Sequence, residues 1–231
     1  MSTSTDLPLP GGVGVSRLCV YDRSGTPHMH LCCSEAYVVL AGAGAVQTLT
    51  WDGFAETPLR PGAVVWFAPG TIHRLVNGGG LEMVVLMQNS GLPEAGDAVL
   101  TFAPEVLADP DRYARAVALP DGGAPGSDLA APHARREAAL AGFAALREGG
   151  RDALDAFHRA AAALVTPKVP QWRERWENGA LAAALATGAQ FDALERGDPG
   201  HLRSGVVRAL DAPSEEGRRG MCGLLNTYHV R

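Results

Sequence analysis

Between residues 13 and 88 apolar and polar positions alternate in short runs, and turn residues punctuate them about every 8 to 12 positions, the spacing of short half-buried strands. Strands are predicted over 13–21, 28–30, 37–40, 45–51, 54–59, 61–67, 73–76 and 81–88. Asp52-Gly53 is the strongest hairpin signal, because both positions of a tight two-residue turn favour such residues. Asn77-Gly78-Gly79-Gly80 predicts a second hairpin. Many short antiparallel strands joined in this way predict a barrel or jelly roll.

After Gln88 the pattern changes. Residues 89–96 read as a loop, and a short helix is expected within 104–113. Pro120, Asp121, Gly122, Gly123, Pro125 and Gly126 crowd the region assigned as a linker, 119–131. From Pro132 the apolar period becomes helical. Leu140, Phe143 and Ala144 mark one face; Leu154, Phe157, Ala161 and Leu164 mark a second after a break at Gly149-Gly150; Trp172, Trp176, Ala180 and Leu181 mark a third. A short helix is expected over 188–194, and 220–230 has the β character of a tail that pairs with a barrel edge. The predicted organisation is a leader over 1–12, a β-barrel over 13–118, the linker, and an α-helical C-terminal region over 132–231. The helices are expected to cover the barrel mouth or to build a homodimer.

Composition narrows the class. At 231 residues and 46% hydrophobic, the chain can bury a sizeable core. A net charge of −5, with arginines interleaved among acids, argues against a nucleic-acid surface as the main function. The longest apolar run, 36–46, is too short and too rich in glycine to span a bilayer, so a cytoplasmic protein without membrane partners is expected. Cys19, Cys32, Cys33 and Cys222 form no spaced framework, so free thiols are expected. Cys32 shares strand parity with His28 and His30, which makes it either a pocket residue or a small buried hydrophobe.

The candidate chemistry lies in 26–77. Side chains alternate faces along a strand, so His28 and His30 project together with Met29 behind them. Glu35 follows after a gap that accommodates a tight turn. The apolar run from Gly62 breaks at Pro69-Gly70 and resumes at His73, a reversal that brings this third imidazole beside the first pair. His28, His30, Glu35 and His73 are therefore candidate ligands of one divalent metal ion. Tyr37 shares parity with Glu35 and is the first candidate pocket residue; Gln88, at the end of the last strand, is a weaker one. His133, His158, His201 and His229 are scattered and are expected at the surface. No phosphate-binding glycine loop or serine nucleophile elbow is present.

These residues resemble the paired motifs of the cupin superfamily. The first, HxHxxxxExxxxxxG, is matched by His28, His30, Glu35 and Gly42. The second, GxxxxxPxGxxHxxxN, is matched by Gly62, Gly70, His73 and Asn77, with its proline displaced to Pro69 and Ala68 in the usual slot. The resemblance covers about residues 12–102 and implies the double-stranded β-helix, or cupin jelly roll, and its metal site. It does not single out a reaction, since one fold hosts many chemistries. A barrel followed by helices is also the order of arabinose-responsive regulators, but no basic recognition helix is present.

Three imidazoles and a carboxylate suit Fe, Mn, Ni, Cu or Zn, and in an octahedral ion leave two positions for substrate, water or dioxygen. The expected function is a metal-dependent enzyme acting on a small-molecule substrate, with oxygenase chemistry ahead of isomerase or lyase chemistry. The competing class is a non-catalytic small-molecule-binding protein, a sensor or partner subunit.

Overall fold

In the computed structural model, which describes residues 9–119, 129–210, 213 and 215–228, two long strands set the architecture. β3 (Glu35–Thr50) and β6 (Ile72–Met87) pair antiparallel along their whole length, with register shifts between Val39 and Gly44. At those shifts both strands bend from one layer into the other. In the first layer, β5 (Val64–Phe67) and β1 (Gly14–Val20) flank the pair formed by the start of β3 and the end of β6. In the second, β4 (Gly53–Leu59) flanks the other half of β3, while β2 (His28–His30) and then β7 (Ala98–Leu100) extend from β6. The result is the antiparallel, cupin-like jelly roll that the sequence predicts; the hydrogen-bonded sheet does not close on itself.

The predicted segments 37–40 and 45–51 are thus one strand, and so are 73–76 and 81–88. The Asn77–Gly80 run is no hairpin; it is the bend in β6, packed against the bend in β3. Only glycine allows this approach: Gly42 has φ 72°, and a Cβ there would lie 2.1 Å from the Gly80 carbonyl oxygen. Asn77 fixes the bend. Its Oδ1 accepts from the N–H groups of Gly79 and Leu81 at 2.9 and 3.1 Å, and its Nδ2 donates to the Val20 carbonyl at 3.0 Å. The Asp52-Gly53 hairpin joins β3 to β4 as expected, with Thr50 opposite Gly53.

Strand alternation divides the apolar residues between two cores. Leu18, Tyr37, Val39, Val46, Leu59, Leu75, Met83 and Val85 fill the barrel interior. Met29, Leu49, Ile72 and Val99 point out of the second layer and pack under the helices. Those helices are α1 (Pro104–Leu107), α2 (Pro110–Val117), α3 (Ala130–Val165), α4 (Val169–Trp176) and α5 (Ala182–Glu195). α3 breaks at Gly150, as the glycine pair predicts. Its Phe143, Leu154, Phe157, Ala161 and Val165, with Trp172 of α4, are the buried stripe. Beside Phe143, the buried small residues are Ala139 and Gly142, where the sequence suggested Leu140 and Ala144. The helices therefore cover the outer face of the second layer and not the barrel mouth, because the apolar partner available to them is the row Met29, Ile72 and Val99. The expected short helix over 188–194 is the end of α5, which has no buried residue.

The C-terminal tail returns as expected. β8 (Glu215–Arg219) and β9 (Gly223–Thr227) form a hairpin, and β9 lies antiparallel to β1. Two buried arginines of α3 tie the parts together: Arg135 donates to the carbonyls of Gly220 and Val117 at 2.8 and 3.2 Å, and Arg136 to those of Asp22 and Ser24 at 3.0 and 3.3 Å. Of the leader, residues 9–12 are described, and Gly12 packs against Ala180. Most of the linker, 120–128, lies outside the described residues, as do residues 1–8 and the last two residues of the 220–230 tail. No described helix is long and apolar enough to cross a membrane.

One close contact between helix and barrel is at Gly142. The Thr101 hydroxyl donates to the Ala139 carbonyl at 2.7 Å, and a Cβ on Gly142 would lie 1.8 Å from the Thr101 carbonyl oxygen. Helix propensity alone favours Gly→Ala by about 1 kcal/mol, but forcing an atom into a packed contact costs about 1–3 kcal/mol or more. Gly142→Ala is expected to lower the melting temperature by several degrees in thermal unfolding. A raised melting temperature would contradict this packing.

Candidate metal centre

His28, His30, Glu35 and His73 come together, and each is placed by a different local feature. All of β2 is buried: Met29 enters the core under the helices, so His28 and His30 must face the barrel interior. His73 is the cross-strand partner of His28, and cross-strand partners share a face. The Pro69-Gly70 turn is docked by a hydrogen bond from Gly70 N–H to the His30 carbonyl at 2.9 Å, which starts β6 in that register. Glu35 opens β3 between Phe67 and Met87. One potential ligand atom from each residue lies within 4.8 Å of the other three.

The outward ring nitrogens are occupied. His28 Nδ1 is 2.8 Å from the Thr26 carbonyl oxygen, His73 Nδ1 is 3.1 Å from that of Thr71, and His30 Nδ1 is 3.0 Å from Asp97 Oδ2. A carbonyl can only accept, so it sets the tautomer: Nδ1 of His28 and His73 carries the proton, and the Nε2 lone pair is left for another partner. His30 Nε2 and His73 Nε2 stand 3.4 and 3.1 Å from Glu35 Oε2. Even so, neither Glu35 Oε2 nor His73 Nε2 has a hydrogen-bond partner among the described residues. Buried atoms left in this way are costly unless a further group joins them. A divalent cation fits this gap: it accepts lone pairs from the imidazoles and carboxylate and supplies the charge that a buried carboxylate lacks.

The electrostatics differ from one imidazole to the next. Burial, then the charges of His73 and His30, hold His28 well below the usual imidazole range, so it is a neutral donor. Burial opposes charge on His30 also, but Asp97 and Glu35 on its two sides outweigh it and raise its pKa to about 9. Burial works to raise the Glu35 carboxyl; the imidazoles of His73 and His30 outweigh that and hold it well below the carboxylate range.

Tyr37 lies, as expected, on the interior face with Glu35. It is fully buried and edge-on to Phe67 at 5.5 Å, and Phe67 in turn lies 4.3 Å from the His73 ring. Gln88 lies elsewhere: it is exposed at the end of β6, where its Oε1 accepts from Ser34 N–H at 3.3 Å. Cys32 is exposed, neither pocket residue nor core, because β2 ends at His30 and strand parity does not carry further; Cys33 is the buried one. All four cysteines are free thiols, as expected. His133 and His158 are half-buried rather than surface residues, packed on Tyr21 and Trp51. His229 lies outside the described residues.

Asp97 escaped the sequence reading. It is completely buried; besides His30, its Oδ1 accepts from the N–H groups of Leu31 and Cys32 at 3.2 and 2.8 Å. Burial raises this carboxyl, but His30 and these N–H groups outweigh that and lower it. It orients His30 and holds the turn after β2. The only signal available was an acid at the head of the short β-like run 98–102. A carboxylate on the far nitrogen of a ligating histidine typically contributes 10- to 100-fold in metal affinity. Asp97→Asn is therefore expected to fold but to bind its metal about 10- to 100-fold more weakly in competition with a chelator. Unchanged affinity would remove Asp97 from the centre.

No protein-family model matches the chain. The glucose-6-phosphate isomerase of Thermococcus gammatolerans is 34% identical over 87 residues, 37% of this chain and 44% of that protein, so the chain spans less than half of this curated relative. A cupin 2 conserved barrel domain protein from Salinispora arenicola is similar at 23% identity and TM-score 0.31, covering 41% of this chain and 75% of that one. The DMSP lyase DddQ from Ruegeria pomeroyi is similar at 19% identity and TM-score 0.31, covering 35% and 40%. With both motifs present, Gly42 at the bend of β3, and their three histidines and glutamate converging inside an antiparallel jelly roll, the barrel is cupin-like in its fold and in the grouping of these four residues.

Proposed function

We propose that this protein is a metal-dependent enzyme acting on a small oxygen-bearing molecule, with proton transfer, as in an isomerase or lyase, ahead of oxygenation. The observation that carries the metal reading is the pair of buried atoms Glu35 Oε2 and His73 Nε2, without a hydrogen-bond partner among the described residues and facing inward among imidazoles whose other nitrogens are occupied. A bound divalent ion would polarise a carbonyl or hydroxyl of the substrate or, as iron or copper, bring it together with dioxygen.

The free positions of such a site serve both chemistries, so they lend the expected oxygenase reading no advantage. Two observations favour proton transfer. Tyr37 is held protonated by burial and by the charge of Glu35, so at neutral pH it is a donor for a substrate oxygen. The curated relative is named an isomerase. Its phosphorylated sugar does not transfer with the name. Among the described buried residues the only cationic side chains besides histidine are Arg135 and Arg136, whose guanidinium groups are directed at backbone carbonyls of 22, 24, 117 and 220. The apolar interior, with Leu75, Val39 and Val85, suits a small uncharged hydroxy-carbonyl compound and excludes bulk water.

The reading is tested by incubating protein loaded with manganese, zinc or iron with hydroxyacetone in D2O, following carbon-bound deuterium by NMR and oxygen with an electrode. The expected result is deuterium entering next to the carbonyl without oxygen uptake, lost in His73→Ala. Oxygen consumption with oxidised product would move the assignment to an oxygenase. Saturable binding without exchange or uptake would make the protein a small-molecule-binding cupin without catalysis.

A further inference from the structure

Each layer of the barrel presents one outer face. In the second layer that face is apolar and lies under the helices, which cover Met29, Ile72 and Val99. The outer face of the first layer is apolar too, but open. On β3 and β6, Tyr37, Val39, Met83 and Val85 face the interior, so the residues alternating with them, Ala36, Val38, Val84 and Leu86, face outward. Cross-strand partners share a face, which extends this surface to the neighbouring strands. One row runs Trp66, Ala36, Leu86, Val15; the next begins Val64, Val38, Val84. Trp66 is 74% exposed, Val64 55%, and Leu40, further along β3, 45%.

Where an antiparallel sheet has one face in water, its outward residues are ordinarily polar. These two rows are apolar until Arg17, the partner of Val84. A contiguous exposed apolar patch marks a contact surface, and a tryptophan within it is the kind of side chain that dominates binding. Charge and size identify what covers it. Across β5, β3, β6 and β1 the outward charged residues are Arg17 and Glu82, paired with each other, so this face is neutral on a chain of net charge −5. A second copy meets it without like charges opposing, and the same patch then serves both copies in an isologous contact. With β9 and β8 the layer widens to the order β5, β3, β6, β1, β9, β8. Strands about 4.8 Å apart, each presenting about 17 Å, give such a layer a face of roughly 500 Å². Two of these faces together remove about 1,000 Å² from water, enough for a specific interface.

We propose that the outer face of the first layer is the interface of a homodimer, in which two copies of this chain stack sheet on sheet with Trp66, Val64 and Val38 among the apolar contacts. Both layers then have their outer faces covered, one by the helices and one by the second copy. The homodimer expected of the helices belongs instead to the barrel. Leu185, Phe191 and Leu194 of α5 are exposed as well, but at about 100° per residue they point to different sides of that helix and form no single face. The interface does not depend on what the metal centre holds.

The test is the mass of the full-length protein by sedimentation equilibrium over a wide range of concentration, beside Trp66→Asp, Val64→Asp and Phe191→Asp. Expected are a dimer in wild type and in Phe191→Asp, and a dissociation constant raised at least about 30-fold in Trp66→Asp, with cooperative thermal unfolding retained. Trp66 is exposed in the single chain, so its replacement leaves the fold intact; should Trp66→Asp fail to unfold cooperatively, Val64→Asp gives the same reading. A monomeric wild type overturns the proposal and leaves the face to a partner of another kind. Undiminished dimerisation in Trp66→Asp and Val64→Asp overturns it as well. So does a dimer lost in Phe191→Asp, which moves the interface to α5.

Discussion

The centre of the molecule depends on one constraint: a buried carboxylate, Glu35, surrounded by three imidazoles whose outer nitrogens are already committed. Carbonyls of Thr26 and Thr71 and the carboxylate of Asp97 occupy those nitrogens. The histidines are thereby fixed in tautomer or orientation, with their inner nitrogens turned toward Glu35. Two buried carboxylates, Glu35 and Asp97, share the one imidazole that they hold protonated, His30, which leaves a negative charge whose burial costs several kcal/mol unless a cation joins it. The fold supplies the rigidity that holds four such groups close together.

That rigidity comes from sharing β2 between two cores. Met29 is clamped under α3, and the histidines on either side are thereby presented to the barrel. The same division applies on the neighbouring strand, where Ile72 faces the helices and His73 the interior. The helical region thus acts as a backing plate for the ligand strands. Its arginines reach around to the carbonyls of Asp22, Ser24 and Gly220, fixing both the approach to β2 and the C-terminal hairpin that places Cys222 in the barrel. Contacts of this kind link the placement of the candidate ligands to the docking of α3, although no helical residue is a candidate ligand.

Much of this was legible because local rules govern it. The alternation around Met29 and the Gly70 turn located the three candidate histidines, the gap after His30 accommodated Glu35, and the glycine pair at 149–150 located the break in α3. What the sequence concealed is what depends on distant packing. Asn77-Gly78-Gly79-Gly80 has the composition of a hairpin, and only the opposing bend at Gly42 shows it to be a kink in one long strand. Asp97 is a single acid before a three-residue strand; its partner His30 is 67 residues away. The mouth and a dimer interface were both open to the helices because periodicity shows that a face is apolar and not what it meets. Oxygenase chemistry had no residue of its own behind it, only open metal positions.

The central claim is that the four-residue centre holds one metal ion. Elemental analysis of protein purified without added metal or chelator, beside His73→Ala prepared identically, tests it most directly. About one equivalent of a single transition metal is expected in wild type and a small fraction of that in the variant. Equal metal in both proteins, or none in wild type even after incubation with Mn, Fe, Ni, Cu or Zn, would contradict it.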